Sequence, residues 1–410
     1  MHSQDCRAAP RVFPSSQPEY WGPGPWHPRS HSIGDTLQIG LPDGANAFRY
    51  GEGMQLMSDS VGSAPGAVAL VFGGRSPEHS ISCLSAKSVL AALLELGYKV
   101  LCIGITSDGT WVEVSPFEVE SYKITANHYP EVAKRVPVVR LVMNASAPGI
   151  EIEGEFSPIS VVFPVLHGIG GEDGAIQGVC HSMGIPVVGS GVQASAICMN
   201  KLTTKELVRA AGVDAGNWFP QSSAAMTVGP PIQAFPFPWF VKPVSGGSSI
   251  GISMVNQLQD YEQACQHAFH SCPDVIVEQG LVNPRELEVG VLVGESGVEA
   301  SPVGEIKVKD QFPFYDFEAN NISDGAELIV PADLDAEVVR EIQRLAVHVF
   351  ILLGCTGYAR VDFFLDGDRI VFNEINTIPG FTPISMFARM WELAGVSFPE
   401  IVDRLVRAAL

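Results

Sequence analysis

Ala67-Val68-Ala69-Leu70-Val71-Phe72 runs for the length of a strand without a polar residue, and Val100 to Ile105 does so again. A strand with no polar face needs cover on both sides, the arrangement of a parallel sheet within an α/β layer. Between the two runs lie a Gly73-Gly74 turn and a helical pattern from about Ser80 to Leu96, closed by Gly97. The order predicts a βαβ unit. A strand over Val161-Val162-Phe163-Pro164-Val165, a turn-rich stretch from His167 to Gly174, a helix near Ala175 to Met183 and a strand near Pro186 to Val188 extend it into a first α/β domain, 67–189.

The central region, 190–280, shows a helix around Asn200 to Ala211, strands at Trp239 to Val241, Ile252 to Val255 and Val275 to Glu278, and a helix near Leu258 to His270. The last region, 281–410, alternates strands at Glu288 to Val293, Tyr358 to Leu365 and Arg369 to Ile375 with helices near Asp335 to Leu353 and Pro399 to Ala409. No internal repeat is visible. Residues 1–66 differ from all of this, being rich in Pro, Ser, Gly and His without periodicity. In Tyr20-Trp21-Gly22-Pro23-Gly24-Pro25-Trp26 proline removes donors and glycine lowers the cost of disorder, so no regular element fits. The stretch reads as a disordered extension or as the product of an upstream start, with Met54 and Met57 just ahead of the folded pattern.

Composition narrows the function classes. Hydrophobic residues at 46% and charged residues at 17% supply a large core and argue against global disorder. With 25 basic and 45 acidic residues the net charge is −20, and no Lys/Arg run offers the basic footprint of a nucleic-acid partner. No apolar stretch reaches the ~20 residues of a membrane span. The eight cysteines are scattered without C-x-x-C or paired Cys/His spacing, which reads as free thiols in a reducing, cytoplasmic setting.

Side chains two apart on a strand share a face, so Arg360 and Asp362 point together, and so do Glu374 and Asn376. If the hairpin pairs Asp366 with Ile370, Asp362 falls opposite Glu374. Two carboxylates and an amide oxygen suit Mg²⁺ shared with substrate phosphates. The bland alternative is a solvated sheet face, and against it stand the apolar neighbours Val361, Phe363, Val371, Phe372 and Ile375. Lys242 ends a strand and is followed by Ser245-Gly246-Gly247-Ser248-Ser249, a cation with backbone donors for a phosphate or simply a loop. No G-K-[ST] follows the glycines, so it is not a Walker A sequence. Glu278, Leu281 and Glu286 mark a region junction, where a base-and-ribose pocket and an ordinary linker are equally consistent. Gly189-Ser190-Gly191-Val192-Gln193-Ala194 matches G-x-G-x-x-A, but it closes the first domain instead of opening it. It also lacks an acidic strand end ~20 positions on, which argues against a dinucleotide site.

Taken in order, these segments resemble the D-alanine–D-alanine ligases of the ATP-grasp superfamily over about Ala67 to Leu410. The markers are Phe72-Gly73-Gly74-Arg75-Ser76-Pro77-Glu78-His79, Leu166-His167-Gly168 with Gly171-Glu172-Asp173-Gly174, Cys198-Met199-Asn200-Lys201, Lys242-Pro243 and Gly247-Ser248-Ser249. Ala359-Arg360-Val361-Asp362 and Asn373-Glu374-Ile375-Asn376-Thr377 with Pro379-Gly380-Phe381-Thr382 complete them. The resemblance implies a three-domain ATP-grasp fold, α/β overall and α+β where the nucleotide is gripped, with a Rossmann-like domain over 67–189 and ATP between 190–280 and 281–410. It implies an ATP-dependent joining of two D-alanine molecules through an acyl phosphate, releasing ADP and phosphate and supplying D-alanyl-D-alanine for peptidoglycan precursors. By the same resemblance Asp362, Glu374 and Asn376 would hold two Mg²⁺ (or Mn²⁺) ions, Lys201 and Lys242 would contact ATP phosphates, and Glu278, Leu281 and Glu286 would surround adenine and ribose. Glu78 would take the ammonium of the first substrate. Arg360 and the Gly380 backbone would stabilise the oxyanion, and Ser385 and Met386 would meet the second substrate, with Ser248 and His167 nearby. A homodimer is also implied.

Two departures from the family pattern stand out, one in a loop and one at a single position. The loop Tyr315-Asp316-Phe317-Glu318-Ala319-Asn320-Asn321 carries Asn320 and Asn321 where a lysine and a tyrosine are usual, and Ser80 stands where an acid is frequent. The first departure opens the readings of a D-lactate or D-serine acceptor and of a nucleotide-binding pseudoenzyme. The retained Asp362, Glu374 and Asn376 argue against the last.

Overall fold

The computed structural model describes residues 66–125, 129–134, 138–142, 147–224, 235–294, 297–308 and 326–410. The extension before Gly66 and the loop holding Asn320 and Asn321 lie outside these residues. The first apolar run forms β1 (Ala67–Gly73), fully buried along its length, and leads into α1 (His79–Glu95). Next come β2 (Val100–Ile105), β3 (Trp111–Glu113), α2 (Pro116–Ser121), β4 (Arg140–Val142), β5 (Gly149–Ile152), β6 (Glu155–Pro164) and α3 (Ala175–Met183). Their sheet has the order β3-β2-β1-β6-β5-β4, with β1 parallel to both β2 and β6 and the edges antiparallel.

The strand expected at Pro186–Val188 is only a single parallel bridge, Val162 to Val187. Val162 N–H donates to Pro186 O and Val188 N–H to Val162 O, both at 2.9 Å. Pro186 has no N–H to extend the ladder, so pairing stops there. The G-x-G-x-x-A match has a packing explanation: a Cβ on Gly357 would lie 2.9 Å from Gly189 Cα, so two chain segments touch backbone to backbone there.

The central elements are α4 (Val192–Met199), α5 (Lys201–Ala210), β7 (Trp218–Ser222), β8 (Trp239–Pro243), β9 (Ser253–Val255), α6 (Tyr261–Phe269) and β10 (Asp274–Gln279). The antiparallel sheet runs β7-β10-β8-β9. The helix expected over Leu258 to His270 is a 3₁₀ turn, Leu258–Asp260, followed by α6. Helix α4 was not anticipated.

The last elements are β11 (Arg285–Gly294), β12 (Gly297–Val308), β13 (Ala326–Ile329), α7 (Ala336–Leu352), β14 (Tyr358–Asp366), β15 (Arg369–Asn376), α8 (Met386–Leu393) and α9 (Phe398–Ala409). The antiparallel order is β13-β12-β11-β14-β15. Strand alternation divides this sheet in two. Leu287, Val289, Val291, Val361 and Phe363 pack in one cluster with Ile342, Val349 and Phe350 of α7. Glu286, Glu288, Arg360 and Asp362 occupy the intervening positions. The end of the chain bridges this sheet and the first, with Met386 and Met390 of α8 against Ile306 of β12. Trp391, Ile401, Leu405 and Val406 of α8 and α9 join Leu70, Phe163 and Leu90 in the core of the first one.

Candidate functional site

One cavity of about 1500 Å³ lies among the three sheets, and every residue expected at the site lines it. Its charged wall is the part of the β11–β14–β15 face that α8 leaves open. Asp362 is opposite Glu374 and Arg360 opposite Asn376, but not through the expected register. The turn is tighter, with Asp366 paired to Arg369, which on its own would set Asp362 across from Asn373. A β-bulge between Asp362 and Phe363 takes up one residue and brings Glu374 back into line. Phe372 and Ile375, three apart, both enter the core under α7, which is the bulge seen from the packed side.

Arg360 grips Asp362 with two hydrogen bonds, Nε to Oδ1 at 2.8 Å and Nη2 to Oδ2 at 2.7 Å, and stands 3.1 Å from Glu288 Oε1. Burial disfavours charge on the acids of this wall. It raises Glu286 to about 7 against the pull of Lys242, and Glu288 to about 8 against Arg360. Asp362 is raised for the same reason despite its arginine. Glu374 goes the other way, because Lys201, Lys242 and Arg360 together outweigh its desolvation. Asn376 Oδ1 is buried with no hydrogen-bond partner. A leftover acceptor on the same face as two carboxylates fits a hard divalent cation. Among the described residues no group of three His, Cys, Asp or Glu is placed to hold a metal by itself, so the amide and the substrate would have to complete the shell.

The opposing wall comes from the central region. Asn200 caps α5 by accepting from Thr203 N–H at 2.9 Å, and it forms an isolated bridge with Ser245. This anchors Lys201 beside the Gly/Ser loop, where its Nζ donates to Gly246 O at 2.7 Å and lies 3.8 Å from Glu374. Lys242 on β8 pairs with Glu278 on β10 at 2.8 Å. Burial opposes the charge on Glu278, yet Lys205 and Lys242 win and hold its carboxyl down at about 2. Leu281 and Glu286 line the cavity just beyond that strand end.

The third wall is the end of the parallel sheet. His79 Nδ1–H donates to Gly74 O at 2.6 Å while its Nε2 accepts from Val132 N–H at 2.9 Å, fixing the start of α1 and so the place of Glu78. Ser248 donates to the Glu78 carboxylate. Ser248 and Ser249 hold φ of +50° and +57°, a left-handed conformation that costs a non-glycine residue about 1 kcal/mol. Gly168, at φ +74°, has no alternative, since a Cβ there would lie 2.7 Å from the Glu78 carboxylate. His167 is buried; Nδ1–H donates to Ile378 O and Nε2 accepts from Ser85, both at 3.0 Å, tying the first sheet to the segment after β15. Burial depresses its pKa, partly offset by Glu78, so it is a neutral donor–acceptor. Ser385 precedes α8 without a side-chain capping bond; its hydroxyl donates back to Thr382 O at 2.7 Å. Met386 sits between the cavity and a small cluster with Ile306 and Met390.

Sequence reasoning missed Lys205, Glu288 and Ser85, all of which line the cavity, and gave no role to Glu172, which lines it too. Lys205 falls one helical turn after Lys201, and Glu288 two residues after Glu286 on the same strand face; those periodicities were the available signals. No helix among the described residues is long and apolar enough to cross a membrane.

Residues 67–190 match the family described as D-ala D-ala ligase N-terminus, and residues 207–407 match D-ala D-ala ligase C-terminus. The D-alanine--D-alanine ligase of Frankia casuarinae is 43% identical over 372 residues, which covers 84% of this chain and 96% of that protein. The D-alanine--D-alanine ligase of Mycolicibacterium smegmatis is 44% identical over 360 residues, covering 84% and 95%. Among solved structures, a D-Ala:D-Ser ligase from Enterococcus faecalis aligns with a TM-score of 0.73 at 33% identity, covering 84% of this chain and 100% of that one. The D-alanine-D-alanine ligase from Coxiella burnetii gives 0.71 at 30% identity, covering 85% and 94%.

Proposed function

Because the chain belongs to the D-alanine–D-alanine ligase family, we propose that its cavity joins two D-alanine molecules at the expense of ATP, with the residues named above in the roles that follow. The fold is that of the ATP-grasp ligases, the family uses ATP, a divalent metal and small-molecule substrates, and the chain is an ADP-forming ligase. The observation that supports the site reading is the convergence, in one cavity, of a carboxylate–amide face on β14–β15 with Lys201, Lys242 and Glu78.

In this reading Glu278, Leu281 and Glu286 receive adenine and ribose, and Lys201 and Lys242 meet the phosphates. Asp362, Glu374 and Asn376 hold two Mg²⁺ (or Mn²⁺) ions. Ions held by these residues would supply neutralisation of charge on the phosphoryl group in transfer. Glu78, steadied by Ser248, binds the ammonium of the first D-alanine and aims its carboxylate at the γ-phosphate. That carboxylate attacks phosphorus, ADP leaves, and an acyl phosphate results. The amine of the second D-alanine, seated against Ser385 and Met386 near His167, attacks the acyl carbon. Arg360 and the Gly380 N–H stabilise the tetrahedral oxyanion until phosphate departs and the amide forms. Holding both substrates in line removes an entropic part of the barrier, and the electrostatic stabilisation at Arg360 and Gly380 is the contribution expected to matter most. The divisions 67–189, 190–280 and 281–410, each centred on one sheet, are the domains of this machine, and a cytoplasmic homodimer is the form in which we expect it.

The test is direct. Purified protein with ATP, Mg²⁺ and D-alanine should release phosphate and yield D-alanyl-D-alanine by mass spectrometry. Phosphate release without the dipeptide, or no dependence on D-alanine, rejects the reading.

A further inference from the structure

Lys205 is a charge in an expensive place. It lies on α5, is 4% exposed, and has an aromatic neighbour, its Nζ standing 5.9 Å from the Phe372 ring centre. Burying an ammonium costs several kcal/mol unless it is compensated, so a side chain needed only for filling would be a methionine or leucine. Two of its hydrogen bonds go to main-chain carbonyls, Ala215 O at 3.3 Å and Phe372 O at 3.4 Å, which pin Nζ between the turn before β7 and strand β15. Its charge faces Glu278 Oε1 at 3.2 Å, at ion-pair distance but outside hydrogen-bond geometry. The other oxygen, Oε2, meets Lys242 at 2.8 Å.

One buried carboxylate is therefore shared by two ammonium groups, and the set carries a net charge of +1. With Lys205 removed, Glu278 and Lys242 would form a closed neutral pair. A closed pair of this kind holds its ammonium tightly and gives little field to a third group. We propose that Lys205 is a positioning residue for the nucleotide: it holds and neutralises Glu278 from behind, so that Lys242 keeps a net positive charge for a phosphate. The inference rests on the assignment of Lys242 to the ATP phosphates.

The experiment compares wild type with Lys205→Met, Glu278→Gln, the double variant Lys205→Met/Glu278→Gln, and Lys242→Ala. The measurements are ATP affinity by titration calorimetry, KM for D-alanine, and melting temperature. Lys205→Met should weaken ATP binding about tenfold, within the range of coupling between neighbouring buried charges, while KM for D-alanine stays within about twofold. The double variant should bind ATP nearly as well as Glu278→Gln alone, because no carboxylate is left to capture Lys242. A simple filling role would not produce that recovery. ATP affinity unchanged in Lys205→Met overturns the proposal, and so do additive losses in the double variant. If Lys205→Met fails to fold, the double variant decides, since it removes the Lys205 ammonium together with the carboxylate that faces it; failure of the double variant to fold where Glu278→Gln folds would assign Lys205 to stability alone. Lys242→Ala separates the two layers. If it leaves ATP binding intact, the phosphate assignment itself is wrong; if it weakens binding while Lys205→Met does not, only the positioning role falls.

Discussion

The first and last sheets both border the cavity, yet they contribute to it in different ways. The parallel strands of the first are buried on both faces, so β1 has no position to spare for chemistry and its functional neighbours sit past the strand ends, at Glu78 and His167. The antiparallel last sheet has α7 along one face, while α8 covers only part of the other, at Gly290, Leu292 and Gly304. The stretch of β11 and β14 that α8 leaves open is thereby free to carry charge, and Glu286, Glu288, Arg360 and Asp362 do so there. A sheet covered on both sides delivers chemistry through its loops; a sheet left partly open delivers it through the open part of its own face. Side chains on a strand face are held by two neighbouring strands, whereas a loop residue needs supports of its own, here His79, Gly168 and Ser248.

That contrast predicts the size of mutational effects. The largest is expected on the strand face: Glu374→Gln or Asp362→Asn should cost on the order of a thousandfold in turnover, several kcal/mol of transition-state stabilisation. The melting temperature should change little for Glu374→Gln, and should fall for Asp362→Asn, which takes a charge partner from the buried Arg360. Near-normal turnover at saturating Mg²⁺ would remove the metal assignment and the contrast with it. Next comes Arg360→Ala, for which we expect roughly a hundredfold loss of kcat with ATP affinity kept within a few-fold. It should also lower thermal stability, because Glu288 and Asp362 would be left buried without their cation. A loss confined to ATP affinity would move Arg360 from the intermediate to the nucleotide.

The loop-borne Glu78 should matter less to chemistry and more to binding. Glu78→Gln keeps the acceptor for Ser248 and should raise KM for D-alanine about tenfold, the price of one charged hydrogen bond, without altering ATP affinity. An unchanged KM would mean that the end of the parallel sheet is only a wall. The smallest effect concerns the inert interior of that sheet's layer. Burial pushes the Cys83, Cys102 and Cys180 thiols up to about 12, so few are thiolates at pH 8. Alkylation of the native protein at that pH should spare all three while modifying the more accessible Cys272. Prompt labelling of Cys83 would show that the layer opens readily.

The sequence alone determined the order of elements, because hydrophobic period and the Gly/Pro punctuation are local properties: β1, α1, α3 and the β14–β15 hairpin lie where the pattern places them. It also singled out, through a resemblance carried by short motifs, the residues proposed for the site, all of which line the cavity. What local pattern does not contain is register. The expected pairing of Asp366 with Ile370 was one residue off, and Glu374 faces Asp362 only because of a bulge that the packing of Phe372 and Ile375 under α7 requires. A one-residue shift exchanges the two faces of a strand, so this is settled by the opposing layer and not by the strand. The same holds for Pro186–Val188, whose apolar pattern promised a strand that proline could not pair, and for Lys205, an ordinary helix residue until the fold encloses it with Glu278. Burial and charge partnership arise between segments far apart in the chain, and only the assembled tertiary structure brings those segments together.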